Sequence, residues 1–142
     1  DFEIYSQDDF MMKDGKYAFD KTKQVPAIKG THSRVMLALH DKSKKKIVVA
    51  GNINYNNQQI RIFDGIAAKK QCKSAVIRIL PETVDLAITL GQHNVKEIPA
   101  NVFERNYRLL QNPANEHFDS IVGILDFTIT TPTTQAFQPS TA

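Results

Sequence analysis

The sequence predicts an α+β protein with an N-terminal β-hairpin, a five-stranded antiparallel meander sheet, and then one or two C-terminal helices that pack on a partner subunit. Three observations carry this. Apolar residues recur with a period of two almost without a break from residue 33 to residue 90, the mark of half-buried strands. After Pro99 the period lengthens to that of a helix. Near the start, Asp14-Gly15 stands between two strand-like flanks, a strong short-range hairpin signal. A chain of 142 residues matches one domain with one core. That domain is expected over residues 1–127, with the hairpin at 10–19, the sheet at 33–90 and helices at 98–111 and 115–125, and residues 128–142 form an extended C-terminal tail.

Each element follows from its local pattern. FMMKDGKYAF is the hairpin. SRVMLALH, residues 33–40, sets Val35, Leu37 and Leu39 against Arg34, Met36, Ala38 and His40, and DKSKKK turns the chain. KIVVAGNINY sets Ile47, Val49 and Ile53 against Lys46, Val48, Ala50, Asn52 and Asn54, and Asn56-Asn57 reads as a tight turn. QQIRIF puts Ile60 and Ile62 opposite Gln59, Arg61 and Phe63. Beyond a basic loop through Lys69, Lys70 and Lys73, SAVIRIL and TVDLAITL supply two further strands divided by Pro81. In IPANVFERNYRLLQNP, Pro99 suits a first helical turn, and Val102, Phe103, Tyr107 and Leu110 share one stripe. ANEHFDSIVGILDF fits both periods: Phe118, Ile121, Val122 and Leu125 have helical spacing, whereas Ile121, Leu125, Phe127 and Ile129 fall on one face of a strand. A short helix ending near Leu125 is the reading preferred. The remainder, rich in Thr, Pro and Gln, has the composition of an extended tail. One apolar sheet face is more than two short helices cover, and a second copy laying its helices across the sheet would close it.

The net charge of +3 conceals a segregation. Residues 21–80 hold thirteen basic side chains against only Asp41 and Asp64, a balance of +11, between two segments of −4 each. Such a block is costly to keep compact without a neutralising partner, and polyphosphate is the commonest one. The competing reading is a solvated lysine-rich surface. No apolar run reaches the length of a membrane span, so no membrane partner is expected, and the acidic opening DFEIYSQDDF does not read as a signal peptide. Cys72 stands alone, which rules out an internal disulfide and leaves open one between copies. His32, His40, His93 and His117 lack metal-ligand spacing. No nucleophile elbow or phosphate-cradling glycine loop occurs. No cofactor, metal site or catalytic residue is expected, and the chain reads as a non-enzyme.

What remains is the face opposite the apolar residues. It offers Arg34, His40, Lys46, Asn52, Asn54, Gln59, Arg61, Arg78 and Thr89, with small Ala38, Ala50 and Ala87 between them. Arg and Lys neutralise phosphates, Asn and Gln read base edges, and alanines leave hollows for unstacked bases. RNA binding is therefore expected at Arg34, Lys46, Asn52, Asn54, Gln59, Arg61, Arg78 and Thr89.

The succession of a DG hairpin, a meander, the strand VDLAITL, the polar link QHNVKE, the helix PANVFERNYRLL, the break QNPANE and FDSIVGIL resembles the coat proteins of single-stranded RNA bacteriophages. The likeness is one of layout, strongest over residues 74–125. It implies an interlocked homodimer whose sheet lines an icosahedral shell, packages single-stranded genomic RNA and can bind an RNA hairpin as a translational repressor. It also implies location in the virion, with assembly in the host cytoplasm. The sequence departs from that family in placing Tyr55 on the apolar side, leaving Phe63 as the aromatic of the polar face, and in its long tail. The alternatives are a non-assembling module that binds RNA or single-stranded DNA, and a secreted interaction domain.

Overall fold

The computed structural model describes residues 1–52, 54, 56–92 and 98–131. Ile53, Tyr55, the link 93–97 and the tail 132–142 lie outside the described residues, and so do the expectations placed on them. The described residues form six strands and four helices, in the order β1 (Phe2–Tyr5), β2 (Met12–Lys13), β3 (Lys16–Tyr17), α1 (Gln24–His40), β4 (Ile47–Ala50), α2 (Asn57–Lys69), β5 (Ser74–Pro81), α3 (Val84–Gln92), α4 (Ala100–Leu109) and β6 (Ile121–Ile129). The strands pair two by two: β1 with β4 in parallel, β2 with β3 antiparallel, and β5 with β6 in parallel.

This overturns the five-stranded antiparallel meander. Of its expected strands, 33–40 is the second half of α1, 58–63 lies in α2 and 83–90 lies largely in α3. Only 47–50 and 74–81 are strands, and they belong to different sheets. The physical reason is that a window of six to eight residues does not separate a period of two from one of 3.6 when Leu, Met, Ala and Arg dominate it. Over the full length of α1 the buried positions are Ala27, Thr31, Val35 and Ala38, a helical stripe. In α2 they are Ile60, Asp64 and Ala67. Asn56 is not the corner of a turn but the N-cap of α2, its side chain accepting from the Gln59 amide at 2.9 Å. Thr83 caps α3 in the same way, its hydroxyl accepting from the Leu86 amide at 3.1 Å. With helices standing between their strands, β1–β4 and β5–β6 are each joined by a crossover, and crossovers make parallel neighbours.

The helix expected at 115–125 is also corrected, because residues 121–129 form β6, paired along the whole of β5. β-branched Ile121, Val122, Ile124 and Ile129 suit a strand beside the apolar run of β5. The hairpin forms as β2–β3, narrower than 10–19, with Asp14 and Gly15 both at positive φ (52° and 77°) as a type I′ turn requires. The helix after Pro99 occupies 100–109.

Packing is thin. Among the described residues the buried hydrophobic ones are Met11, Ala27, Val35, Ala38, Ile60 and Ala67, and they lie on α1, on α2 and at the end of the turn after β1. The Phe10 ring rests on Gly30 of α1, where any Cβ would collide with it, and Phe103 of α4 rests in the same way on Gly91 of α3. His32 of α1 meets Phe63 of α2 edge to face at 5.1 Å. Burial pulls the His32 pKa below its ordinary value, which keeps it neutral in this contact.

Asp64 ties the two halves of the chain together. It sits on the buried stripe of α2, 4% exposed. Its carboxylate accepts from the amides of Asp119 (3.0 Å), Ser120 (2.7 Å) and Ile121 (3.2 Å) and from the Ser120 hydroxyl (2.7 Å). Burial pushes its pKa up, and the bonds from Ser120, Asp119 and Ile121 outweigh that and leave the carboxyl below the ordinary carboxylate range. A stray acid in a basic block by sequence, Asp64 holds α2 against the entry to β6.

Candidate nucleic-acid interface

The residues expected to bind RNA are spread over several elements and not along one sheet. Arg34 and Thr89 lie on α1 and α3, Gln59 and Arg61 on α2, Lys46 before β4, Asn52 and Asn54 after it, and Arg78 in β5. The four bases among them are each paired with a carboxylate. Arg34 lies 3.7 Å from Asp9 and stacks over Phe10. Lys46, its side chain 7% exposed, sits between Glu3 (3.5 Å) and Asp41 (3.9 Å). Arg61 pairs with Glu116 and covers the Phe118 ring. Arg78 faces Asp126 at 3.5 Å and donates to Asn112 at 3.0 Å. The amides and hydroxyl serve the chain itself. Asn52 accepts from the Gln7 amide at 2.8 Å, Asn54 donates to the Asn52 carbonyl at 3.2 Å, and Thr89 donates back to Asp85 at 2.9 Å. The backbone amide of Gln59 is taken by the cap of α2.

The charge gathers elsewhere. Helices α1 and α2 end side by side, at the end of the molecule from which β4 and β5 set out. There the loops after them, 42–46 and 70–73, come together. Lys42 Nζ donates to the Lys70 carbonyl at 3.0 Å and lies 3.0 Å from Cys72 Sγ, and Lys70 Nζ lies 3.3 Å from His40 Nδ1. Gln71 takes a positive φ of 57° to close α2, and the Cys72 amide returns to the Ala67 carbonyl at 2.8 Å. A shallow groove of about 410 Å³ here is lined by Lys42, Lys44, Lys45 and Lys46, by the acid Asp41, by apolar Ala38, Leu39 and Val48, and by Cys72 of the second loop.

Part of this charge has a structural cause. Each helix C-terminus carries about half a negative charge, and lysines there are stabilising. Two such ends account for roughly one unit, yet Lys42, Lys44, Lys45, Lys69, Lys70 and Lys73 all lie at this ridge. The nearby acid Asp41 accepts from the Ser43 amide at 3.0 Å and faces Lys46. Hydrogen bonding from Ser43, with Lys46 and Lys44 close by, holds the Asp41 carboxyl below its ordinary value, so it stays charged without cancelling the surplus. Both basic loops are visible in the sequence, but there they read as separate turns of one sheet. Nothing in a linear pattern marks two helix C-termini as neighbours.

A second polar cluster occupies the opposite, carboxyl end of β1 and β4. Ser6 caps the turn that follows β1 and exchanges bonds with Asp9, Arg34 reaches over that turn, and Asn52 bridges to Gln7. The Asn52 Nδ2 is buried with no partner. Among the described residues no group of three or more His, Cys, Asp or Glu side chains could hold a metal ion, and no helix is long and apolar enough to cross a membrane. Comparison with protein-family models and with curated proteins finds no match for this chain.

Proposed function

We propose that this chain binds single-stranded nucleic acid, RNA foremost, through the lysine ridge at the C-terminal ends of α1 and α2. The observation that carries the reading is the convergence of loops 42–46 and 70–73, fixed by the Lys42 to Lys70 hydrogen bond. Flexible lysines around a shallow groove neutralise a phosphate backbone without demanding one geometry, and its apolar lining residues Ala38, Leu39 and Val48 suit the face of a base or sugar. Encapsidation by a continuous polar sheet face loses its stated basis, since that sheet is not formed. Backbone binding at the ridge does not depend on it.

The test is fluorescence anisotropy of a labelled oligouridine titrated with protein over a range of salt. Binding should weaken steeply with salt. The variant Lys44→Glu/Lys45→Glu/Lys73→Glu should flatten the slope of log K against log salt by about 0.7 for each phosphate that is no longer neutralised. Its thermal midpoint should stay that of the parent, because the substituted side chains are exposed. An unchanged affinity for oligouridine in this variant removes the reading.

A second reading is favoured by strand direction. In open parallel sheets ligands bind outside the carboxyl ends of the strands. At that end of β1 and β4 the buried Asn52 Nδ2 is an unspent donor beside Ser6, Asp9 and Arg34. A small polar ligand seated there would be detected as a thermal shift that Asn52→Ala abolishes.

A further inference from the structure

The lysines of the ridge have no acid of their own. Elsewhere Arg34, Lys46, Arg61, Arg78 and Arg108 each meet a carboxylate. Among the described residues no such pair reaches Lys42, Lys44, Lys45, Lys69, Lys70 or Lys73, and the adjacent Asp41 is already shared between the Ser43 amide and Lys46. Like charges are also held close. The bond from Lys42 Nζ to the Lys70 carbonyl brings loop 42–46 against 70–73, and Lys42, Lys44 and Lys45 line one groove with Lys46 and Cys72. Unopposed charge of one sign in one place is what a polyanion neutralises.

The groove lacks the groups that read a base. Stacking uses aromatic rings, and base edges are read by Arg, Asn and Gln. Besides lysines and Asp41, the groove has only Ser43, Cys72 and the aliphatic Ala38, Leu39 and Val48, which touch any base alike. The candidate base readers are engaged elsewhere: Arg34, Arg61 and Arg78 with acids, and Asn52 with the Gln7 amide beyond the far end of β4. In the two loops Gln71, exposed beside Lys70, carries the one amide side chain. A lysine ammonium is a compact charge on a flexible stem, without the fork that selects one arrangement of oxygens. Such a site responds to phosphates and is indifferent to what they carry.

We infer that the ridge recognises the linear phosphate chain itself, so that an abasic phosphodiester strand and inorganic polyphosphate are ligands of the same site as RNA. This recognition rests on the ridge being the nucleic-acid site proposed above, and it narrows the ligand to the part that every such strand shares. Successive phosphates of inorganic polyphosphate share an oxygen, whereas in RNA a sugar separates them. Polyphosphate therefore sets more charge against the same lysines.

The test uses the full chain and fluorescence anisotropy with three probes: oligouridine, an abasic oligomer of the same length with tetrahydrofuran in place of each nucleoside, and inorganic polyphosphate as competitor. The abasic oligomer should bind within about fivefold of oligouridine and with the same slope of log K against log salt, about −0.7 for each phosphate neutralised. Polyphosphate should displace labelled oligouridine at a total phosphate concentration no higher than unlabelled oligouridine needs. In Lys44→Glu/Lys45→Glu/Lys73→Glu all three should bind at least about tenfold more weakly at an unchanged thermal midpoint. A charge-matched variant away from the ridge, Lys13→Glu/Lys16→Glu/Lys21→Glu, should keep each within about fivefold of the parent. So should Gln71→Gly, which suits the positive φ of that position.

An abasic oligomer more than about fivefold weaker than a bound oligouridine overturns the inference and leaves the nucleic-acid reading standing. Loss of oligouridine in Gln71→Gly, equal loss in the two charge-reversed variants, or failure of polyphosphate to displace oligouridine overturns it as well. Polyphosphate held by the parent and lost by the ridge variant, with oligouridine never bound, upholds the phosphate-chain ligand and ends the nucleic-acid reading. Absence of binding by every probe ends both.

Discussion

The two parallel units of the molecule share a topology and differ in what holds them. In β1–α1–β4 and the adjoining α2, apolar side chains are withdrawn from water: Met11, Ala27, Val35, Ala38, Ile60 and Ala67 are buried, and Phe10 seals Gly30. In β5–α3–α4–β6 no described hydrophobic side chain reaches that level, and the buried residues are Gly91, Pro113 and Ser120. The second unit has the longer strand pairing, from Ser74 to Pro81 against Ile121 to Ile129, and is fastened to the first by polar contacts from α2: the carboxylate of Asp64 on residues 119–121, Arg61 on Glu116, and the Asn57 amide on Gln111. One unit is held by burial and the other by directed bonds. Directed bonds fix a geometry and contribute little net free energy, whereas burial does the reverse.

If that contrast is right, the largest effect belongs to Asp64→Ala. It leaves the buried amides and hydroxyl of residues 119–121 without their acceptor and should cost about 3 kcal/mol in urea denaturation. Exchange should quicken in β5 and β6 before it does in α1. The same interaction has a pH signature. The folded pKa of Asp64 lies below its ordinary value of 3.8, so its contribution is complete above the unfolded carboxylate range and is lost as pH falls through the folded pKa. Circular dichroism melts at descending pH should show the parent losing stability in that acid range and Asp64→Asn, already weaker, losing less. Next comes Val35→Ala, which opens a small cavity on the buried stripe of α1 and should cost about 2 kcal/mol. Its effect should fall on α1 and β4 and leave the exchange of β6 unchanged. The smallest effect belongs to Ile79→Ser. At 63% exposure it should shift stability by under about 0.5 kcal/mol in the chain alone. A loss of about 2 kcal/mol or more there would mean that the second unit has burial of its own and would end the contrast.

The bonds to acids also explain why so little of the site is legible in the sequence. Asp64 stands there as one of two acids among thirteen bases, with no neighbour that marks it as an acceptor. Its partners come from a segment 55 to 57 residues later. Arg34, Arg61 and Arg78 share one face only if strands align them, and each instead meets an acid brought in from a distant segment, with separations of 25, 55 and 48 residues along the chain. The lysine loops are legible as charge but not as neighbours, because their meeting depends on how α1 packs against α2. Thr83 and Asn56 read as strand start and turn, although Thr and Asn before an apolar run are helix-cap signals of equal standing.

By itself the sequence determined what depends on a residue and its near neighbours. That includes the Asp14-Gly15 turn, the helix after Pro99, the strand character of residues 47–50 and 74–81, and the crowding of positive charge between residues 21 and 80. Tertiary structure decided whether residues 33–40, 58–63 and 83–90 would be strand or helix, which strands would pair and in which direction, and where the lysines would meet. Backbone preferences over six to eight residues differ by less than the free energy of burying one apolar side chain. The packing of α1 on β4 and α2, and not the local alternation, therefore selects between them.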